Sequence, residues 1–419
     1  MRVTHLTTGI VATLVVAFTA AACQDPAGPE AAPEAIGTLP RSLTAVEVEV
    51  IARSNAFAFD LLRQVHAASP DRANIFLSPL SASMALGMTM TGAAGETFDA
   101  MRATLGFDGL DQAEINQAYR ELTRMLLSLD PRVELRIANS TWARKGLPFD
   151  SGFFEAVRTW FDAEARELDF GDPASVDVIN GWAADKTNGR IREVIETIPD
   201  EAILFLLNAV YFKGKWTDRF DAANTSPGPF TLADGSVVQV PRMRGTPPTR
   251  YLSLPDVTVG EIPYGGKAFV MTIVVPRTGT VADLVASLDD ETWNRWIASA
   301  SDFGRVRVEL PKFELAYGDR LNLALKALGM GIAFDPERAD FSRLTRAARA
   351  YLSFVKQDTY LKVDEEGTEA AAVTSVGFGV TSVNPPPPEL IVDRPFLVAI
   401  RERLSGTILF IGVIGDPRG

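Results

Sequence analysis

The chain has 419 residues, 47% of them hydrophobic, and its 53 acidic and 41 basic side chains leave a net charge of −12. That balance excludes a basic nucleic-acid face and a basic membrane-surface helix. One cysteine and two histidines exclude a disulfide framework, a paired CxxC site, an HExxH motif and a Cys/His zinc cluster, so no metal or cofactor is expected.

Met1-Arg2 precede an apolar run from Ile10 that ends Ala20-Ala21-Ala22-Cys23. A basic start, an apolar stretch too short for a lasting span and small residues before the cut read as an export signal over 1–22. A cysteine directly after them resembles a bacterial lipoprotein signal, in which that cysteine is lipidated; Ala20 stands where such signals usually carry leucine. Lipidation of Cys23 would give the chain its only membrane contact, through acyl chains. The alternative is a plain secretory signal with a stray cysteine. The expected location is therefore outside the cytoplasm, anchored at the cell envelope or else secreted. Pro26, Pro29, Pro33 and Pro40 make 23–41 a flexible Pro-rich tether. Residues 42–419 contain no second linker or repeat and read as one large domain.

Val50, Ile51, Ser54, Phe57, Ala58, Leu61, Leu62 and Val65 fall on one helical face that ends at His66, where the helix dipole favours a cation. His5 leaves with the signal, so a Ser-His-Asp triad would have to use His66. Ser78-Pro79 supplies an N-cap and a first-turn proline for a helix that stops by Gly92 and Gly95. Val133 to Ile137 alternates as a strand, and Val178 to Val194 starts helical and breaks at Asn188-Gly189. The second half is strand-rich: Phe205 to Phe212, Phe269 to Val275, Val306 to Leu310 and Tyr351 to Asp364, with a helix between Leu321 and Leu328. Asp289-Asp290-Glu291 reads as a solvated helix end. Phe396 to Glu402 and Thr407 to Ile414 form a C-terminal hairpin around Ser405-Gly406. Helices first and strands later give an α+β class. Ser353-Phe354-Val355-Lys356 matches the Ser-x-x-Lys nucleophile pattern, but the motif needs a helix start and its partner motifs are absent.

The most informative stretch lies between two strand-like segments. Glu365-Glu366-Gly367-Thr368-Glu369-Ala370-Ala371-Ala372 runs on to Ser382 and ends in a stiff tract, Pro385 to Pro388. Long connections inside a domain are uncommon and usually functional. If the run extends, Thr368, Ala370, Ala372, Thr374, Val376 and Phe378 share one uncharged face, with Glu369 on the other. An Ala-rich helical turn or a surface loop is the competing reading of the same residues.

Several segments, in order, resemble the serpin family from about Ser54 to Pro417: Asn74 to Ser81, Asn208 to Trp216, Leu310-Pro311-Lys312-Phe313, Leu328-Gly329-Met330, Asp340-Phe341-Ser342 and Arg394-Pro395-Phe396. The resemblance implies a serpin fold of three β-sheets and about eight or nine helices, with an exposed reactive-centre loop at about 365–390. It implies a bacterial, inhibitory-type member with no catalytic group of its own, a suicide-type inhibitor that traps serine endopeptidases as a covalent complex. Glu365, Gly367, Thr368, Glu369, Ala370, Ala371 and Ala372 match the inhibitory hinge. Ser78, Ser81 and Asn208 map to the shutter, with Gln357 where many members place a histidine, and Trp216 falls at the breach. Family spacing from Glu365 puts the cut at Thr381-Ser382, with Val380 or Phe378 as alternatives. The small and β-branched residues there suggest an elastase-like or subtilisin-like target. No Lys or Arg between Glu365 and Asn384 favours a trypsin-like one. A monomer needing no heparin-like cofactor is expected. The alternative function is a non-inhibitory serpin with a binding or chaperone-like role.

Overall fold

Ser78 caps a helix by accepting from the Ser81 backbone N–H, and Pro79 occupies its first turn. This helix, Pro79–Met90, is buried on every side. It lies against the strands Leu204–Lys215 and Ile408–Ile414, and the rest of the fold is arranged around it. The computed structural model describes residues 35–368 and 387–419. Among these are nine α-helices and three β-sheets, which match the expected architecture.

The seven-stranded sheet runs Asn74–Leu77, Ile408–Ile414, Phe396–Glu402, Phe269–Pro276, Val257–Pro263, Pro248–Ser253, Gly304–Arg305. Four of its strands, including the C-terminal pair, are buried along their whole length, so both faces are covered. The four-stranded sheet runs Glu389–Ile391, Arg307–Pro311, Val237–Gly245, Ser226–Thr231. The six-stranded sheet runs Phe313–Arg320, Lys356–Asp364, Gly367–Thr368, Leu204–Lys215, Val133–Arg144, Glu164–Leu168. Helix Pro79–Met90 packs on one face of this last sheet. On the other, helix Ala174–Lys186 closes a separate apolar cluster of Trp142, Trp182, Phe205 and Ala209.

Several elements differ from expectation. Gly95 does not end a helix; with φ of 51° it opens the next one, Gly95–Thr104. Residues 351–355 are not strand, because their backbone is already engaged. Leu352 N–H donates to the Ala333 carbonyl, and Val355 N–H donates to Asn322 Oδ1 while its carbonyl accepts from Leu321. Strand Val133–Arg144 continues well past Ile137 because Leu204–Lys215 pairs with nearly all of it. Packing begins ahead of Ser42: Ile36 N–H donates to the Gly266 carbonyl at 2.7 Å, and its side chain lies against the core.

His66 sits in the last turn of helix Ala45–Ala68, as read. Burial nevertheless pushes its pKa below the ordinary value, against the cation that the dipole would favour. Asp289 caps helix Asp290–Ser299 by accepting from Thr292 N–H, which accounts for the acidic cluster.

Candidate functional site

The central feature is a strand two residues long. Gly367–Thr368 pairs with Val363–Asp364 on one side and Gly214–Lys215 on the other, antiparallel to both. Among the described residues, it is the only piece of chain between the long strands Leu204–Lys215 and Lys356–Asp364. Farther along, between Phe205–Ala209 and Phe354–Asp358, those two strands border a cavity of about 140 Å³. The sheet is therefore entered at one end by the start of the loop and open farther down.

Local chemistry pins the entry point. Gly367 has φ of 147°, and a Cβ there would stand 2.1 Å from the Gly214 carbonyl oxygen and 2.7 Å from Lys215 Cα. Only glycine fits. Thr368 is 2% exposed, and its hydroxyl pairs with that of Tyr264 at 2.6 Å. The Tyr264 ring stacks on Trp216 at 4.5 Å and 11°, and burial pushes its phenol pKa upward. Trp216 donates its indole N–H to the Asp364 carbonyl and its backbone N–H to the Glu366 carbonyl, each at 2.9 Å. The breach assignment thus falls on a residue that holds both sides of the turn before the hinge.

The two glutamates of that turn are each matched by a cation. Glu365 accepts from Lys312 Nζ and from the Thr225 hydroxyl, both at 2.8 Å; Glu366 accepts from Arg219 at 2.7 Å. Burial pushes the Glu365 carboxyl up, but the bonds from Lys312 and Thr225 outweigh it and hold its pKa below the usual value. Its stabilising contribution is therefore complete above the ordinary carboxylate range and is lost as pH falls through the lowered value.

At the shutter, Gln357 binds Ser78 twice. The Ser78 N–H donates to Gln357 Oε1 at 2.9 Å, and Gln357 Nε2 donates to the Ser78 carbonyl at 2.7 Å. The Ser78 hydroxyl donates to the Leu409 carbonyl at 2.8 Å. The Ser81 hydroxyl donates to the backbone carbonyl of Asn208 at 3.4 Å, not to its side chain. The Asn208 side chain turns instead to Asn139, donating at 2.6 Å, and its own Oδ1 has no partner among the described residues. Ser78, Ser81 and Gln357 thus share one network, whereas Asn208 joins it through its main chain alone.

Glu369, Ala370, Ala371, Ala372, Phe378, Val380, Thr381 and Ser382, like Cys23, lie outside the described residues. Ser353 and Lys356 do not form a nucleophile pair: no helix starts at Ser353, and the Lys356 ammonium donates to the Val194 carbonyl at 3.2 Å and pairs with Asp358 at 3.1 Å. Tyr264, Arg219 and Thr225 carried no sequence signal of their own. For Lys312 there was one, since it stands in the Leu310-Pro311-Lys312-Phe313 segment that carries the family resemblance.

Residues 52–417 match the family described as Serpin (serine protease inhibitor). Iripin-8 of Ixodes ricinus is 34% identical over 379 residues, covering 87% of this chain and 93% of its own. The native state of tengpin, a thermophilic serpin, superposes with a TM-score of 0.81 at 28% identity, covering 91% of this chain and 97% of tengpin. Human thyroxine-binding globulin gives 0.81 at 29% identity, covering 90% and 100%. Such proteins are in general protease inhibitors rather than enzymes, and on this evidence the chain belongs to the serpin family.

Proposed function

We propose that the chain is an inhibitory serpin, exported by a bacterium and anchored at the cell envelope through Cys23. It would act as a suicide-type trap for elastase-like or subtilisin-like serine proteases. The protease serine attacks the carbonyl carbon of Thr381, the Thr381-Ser382 bond breaks, and the Ser382 amine leaves. The freed loop then enters the six-stranded sheet with the acylated protease attached. No catalytic group of this chain is required.

The observation that carries this reading is the seating of Gly367–Thr368 between the two long strands. If the cut loop entered in the same register, Thr374 would come opposite both Asn208 and Gln357, and its hydroxyl could meet the unpartnered Asn208 Oδ1. The residues that enter first, Thr368 to Ala372, are small apart from Glu369, which an extended run would set on the face opposite Thr368. Thyroxine-binding globulin shares the fold equally well, so fold does not separate an inhibitor from a carrier; this hinge composition favours the inhibitor.

Inserting roughly a dozen residues adds backbone hydrogen bonds of about 0.5–1.5 kcal/mol net each. The sum, on the order of 10 kcal/mol, rivals the whole stability of a domain. Cutting the loop with a protease that is not trapped should therefore raise the urea midpoint of unfolding severalfold. An unchanged midpoint would show that the cut loop stays outside the sheet.

A further inference from the structure

Across the lower end of the open sheet runs a row of rings with a cation at each end. The Arg144 guanidinium lies 5.3 Å over Phe170, Phe170 meets Phe205 at 5.4 Å, and Phe205 meets Phe354 at 5.8 Å. Arg320 covers the far side of Phe354 at 5.4 Å. Phe205 belongs to strand Leu204–Lys215, while Phe354 lies two residues before strand Lys356–Asp364. Their contact therefore bridges the two strands that the loop would have to separate, and both rings border the cavity between them.

The geometry points to Phe205 and Phe354 as positioning residues for loop insertion, a clasp that holds the lower end of the sheet shut. The inference rests on the inhibitory reading and adds to it what opposes insertion in the uncut protein. A fully inserted strand would set its two neighbours about 9.5 Å apart, twice the ordinary strand spacing. Rings now in contact at 5.8 Å must part while the loop passes between them. In an inserted loop that kept the register of Gly367 and Thr368, Gly377 would come opposite both phenylalanines. With no side chain between them, the rings can meet again over the inserted strand. Aromatic pairs contribute beyond their buried area, so loss of this one should be felt as a rate.

The test warms the uncut full-length protein and follows conversion to a form whose loop resists subtilisin. Phe205→Ala and Phe354→Ala should each speed conversion about three- to tenfold, since the lost pair no longer opposes opening. The double variant should convert no faster than either single one, because each removes the same contact. Phe354→Tyr, which keeps the ring at a half-buried position, should convert at the parent's rate. Single variants that match the parent would overturn the clasp. So would conversion in none of the proteins, or a double variant whose acceleration is the product of the two singles. Covalent trapping by the parent is scored separately: a parent that converts but never traps removes the inhibitory reading and leaves the clasp standing.

Discussion

Replacing Gly367 with valine is expected to lower covalent trapping more than tenfold and to turn the loop into an ordinary substrate. The new Cβ would meet the Gly214 carbonyl oxygen at 2.1 Å, Lys215 Cα at 2.7 Å and Trp216 N at 2.9 Å. All three are backbone atoms, so no side chain can swing aside. A β-branched residue also resists φ of 147°, at a cost of about 1–3 kcal/mol. The uncut protein can escape by leaving the hinge outside the sheet, losing its pairing and the Tyr264–Thr368 bond, about 2 kcal/mol in all. The cut protein has no such escape, because every later residue must follow Gly367 through the same position. Gel assays of complex against cleaved protein, beside urea unfolding, separate the two effects. Full trapping by Gly367→Val would mean that the hinge enters the sheet by another register.

The second large effect is expected at Gln357. Gln357→Leu removes both contacts to Ser78 and leaves the buried Ser78 N–H without an acceptor, while the carbonyl keeps its bond from Ala82 N–H. Stability should fall by about 2–3 kcal/mol, measured by urea unfolding. An amide does not titrate, so the trapping rate of the parent, corrected for the protease's own profile, should be flat between pH 5 and 8. Overall stability should not be flat there. Half-buried His66 has a lowered pKa, so its contribution is complete above about pH 6.5 and is lost as pH falls through the lowered value. Gln357→His should bring a pH response into the trapping rate itself. A parent rate that already changes across this range would place a titrating group in the opening step.

Local signals in the chain were enough for much of the fold. Ser78-Pro79 marks a helix start because capping chemistry acts within a few residues. The C-terminal strands were legible because burial on both faces writes long apolar runs, ended in the first only by Arg401 and Glu402. The start of strand Lys356–Asp364 was not legible. Tyr351 to Val355 look strand-like, but Asn322 and Ala333, distant in sequence, take up their backbone groups. The site divides in the same way. Gly367 and Gln357 stood out through their place in the family pattern, whereas Tyr264 becomes significant only once the sheet brings it onto Thr368. The Phe205–Phe354 contact is of that second kind, since it joins two segments far apart in the sequence.

The most direct measurement mixes the purified protein with subtilisin or pancreatic elastase, runs a denaturing gel and weighs the released C-terminal peptide. A complex that survives denaturation, with a peptide beginning within about two residues of Ser382, is the predicted result. Quantitative cleavage with no complex at any protease ratio would contradict the trap and leave a serpin whose loop is only a substrate.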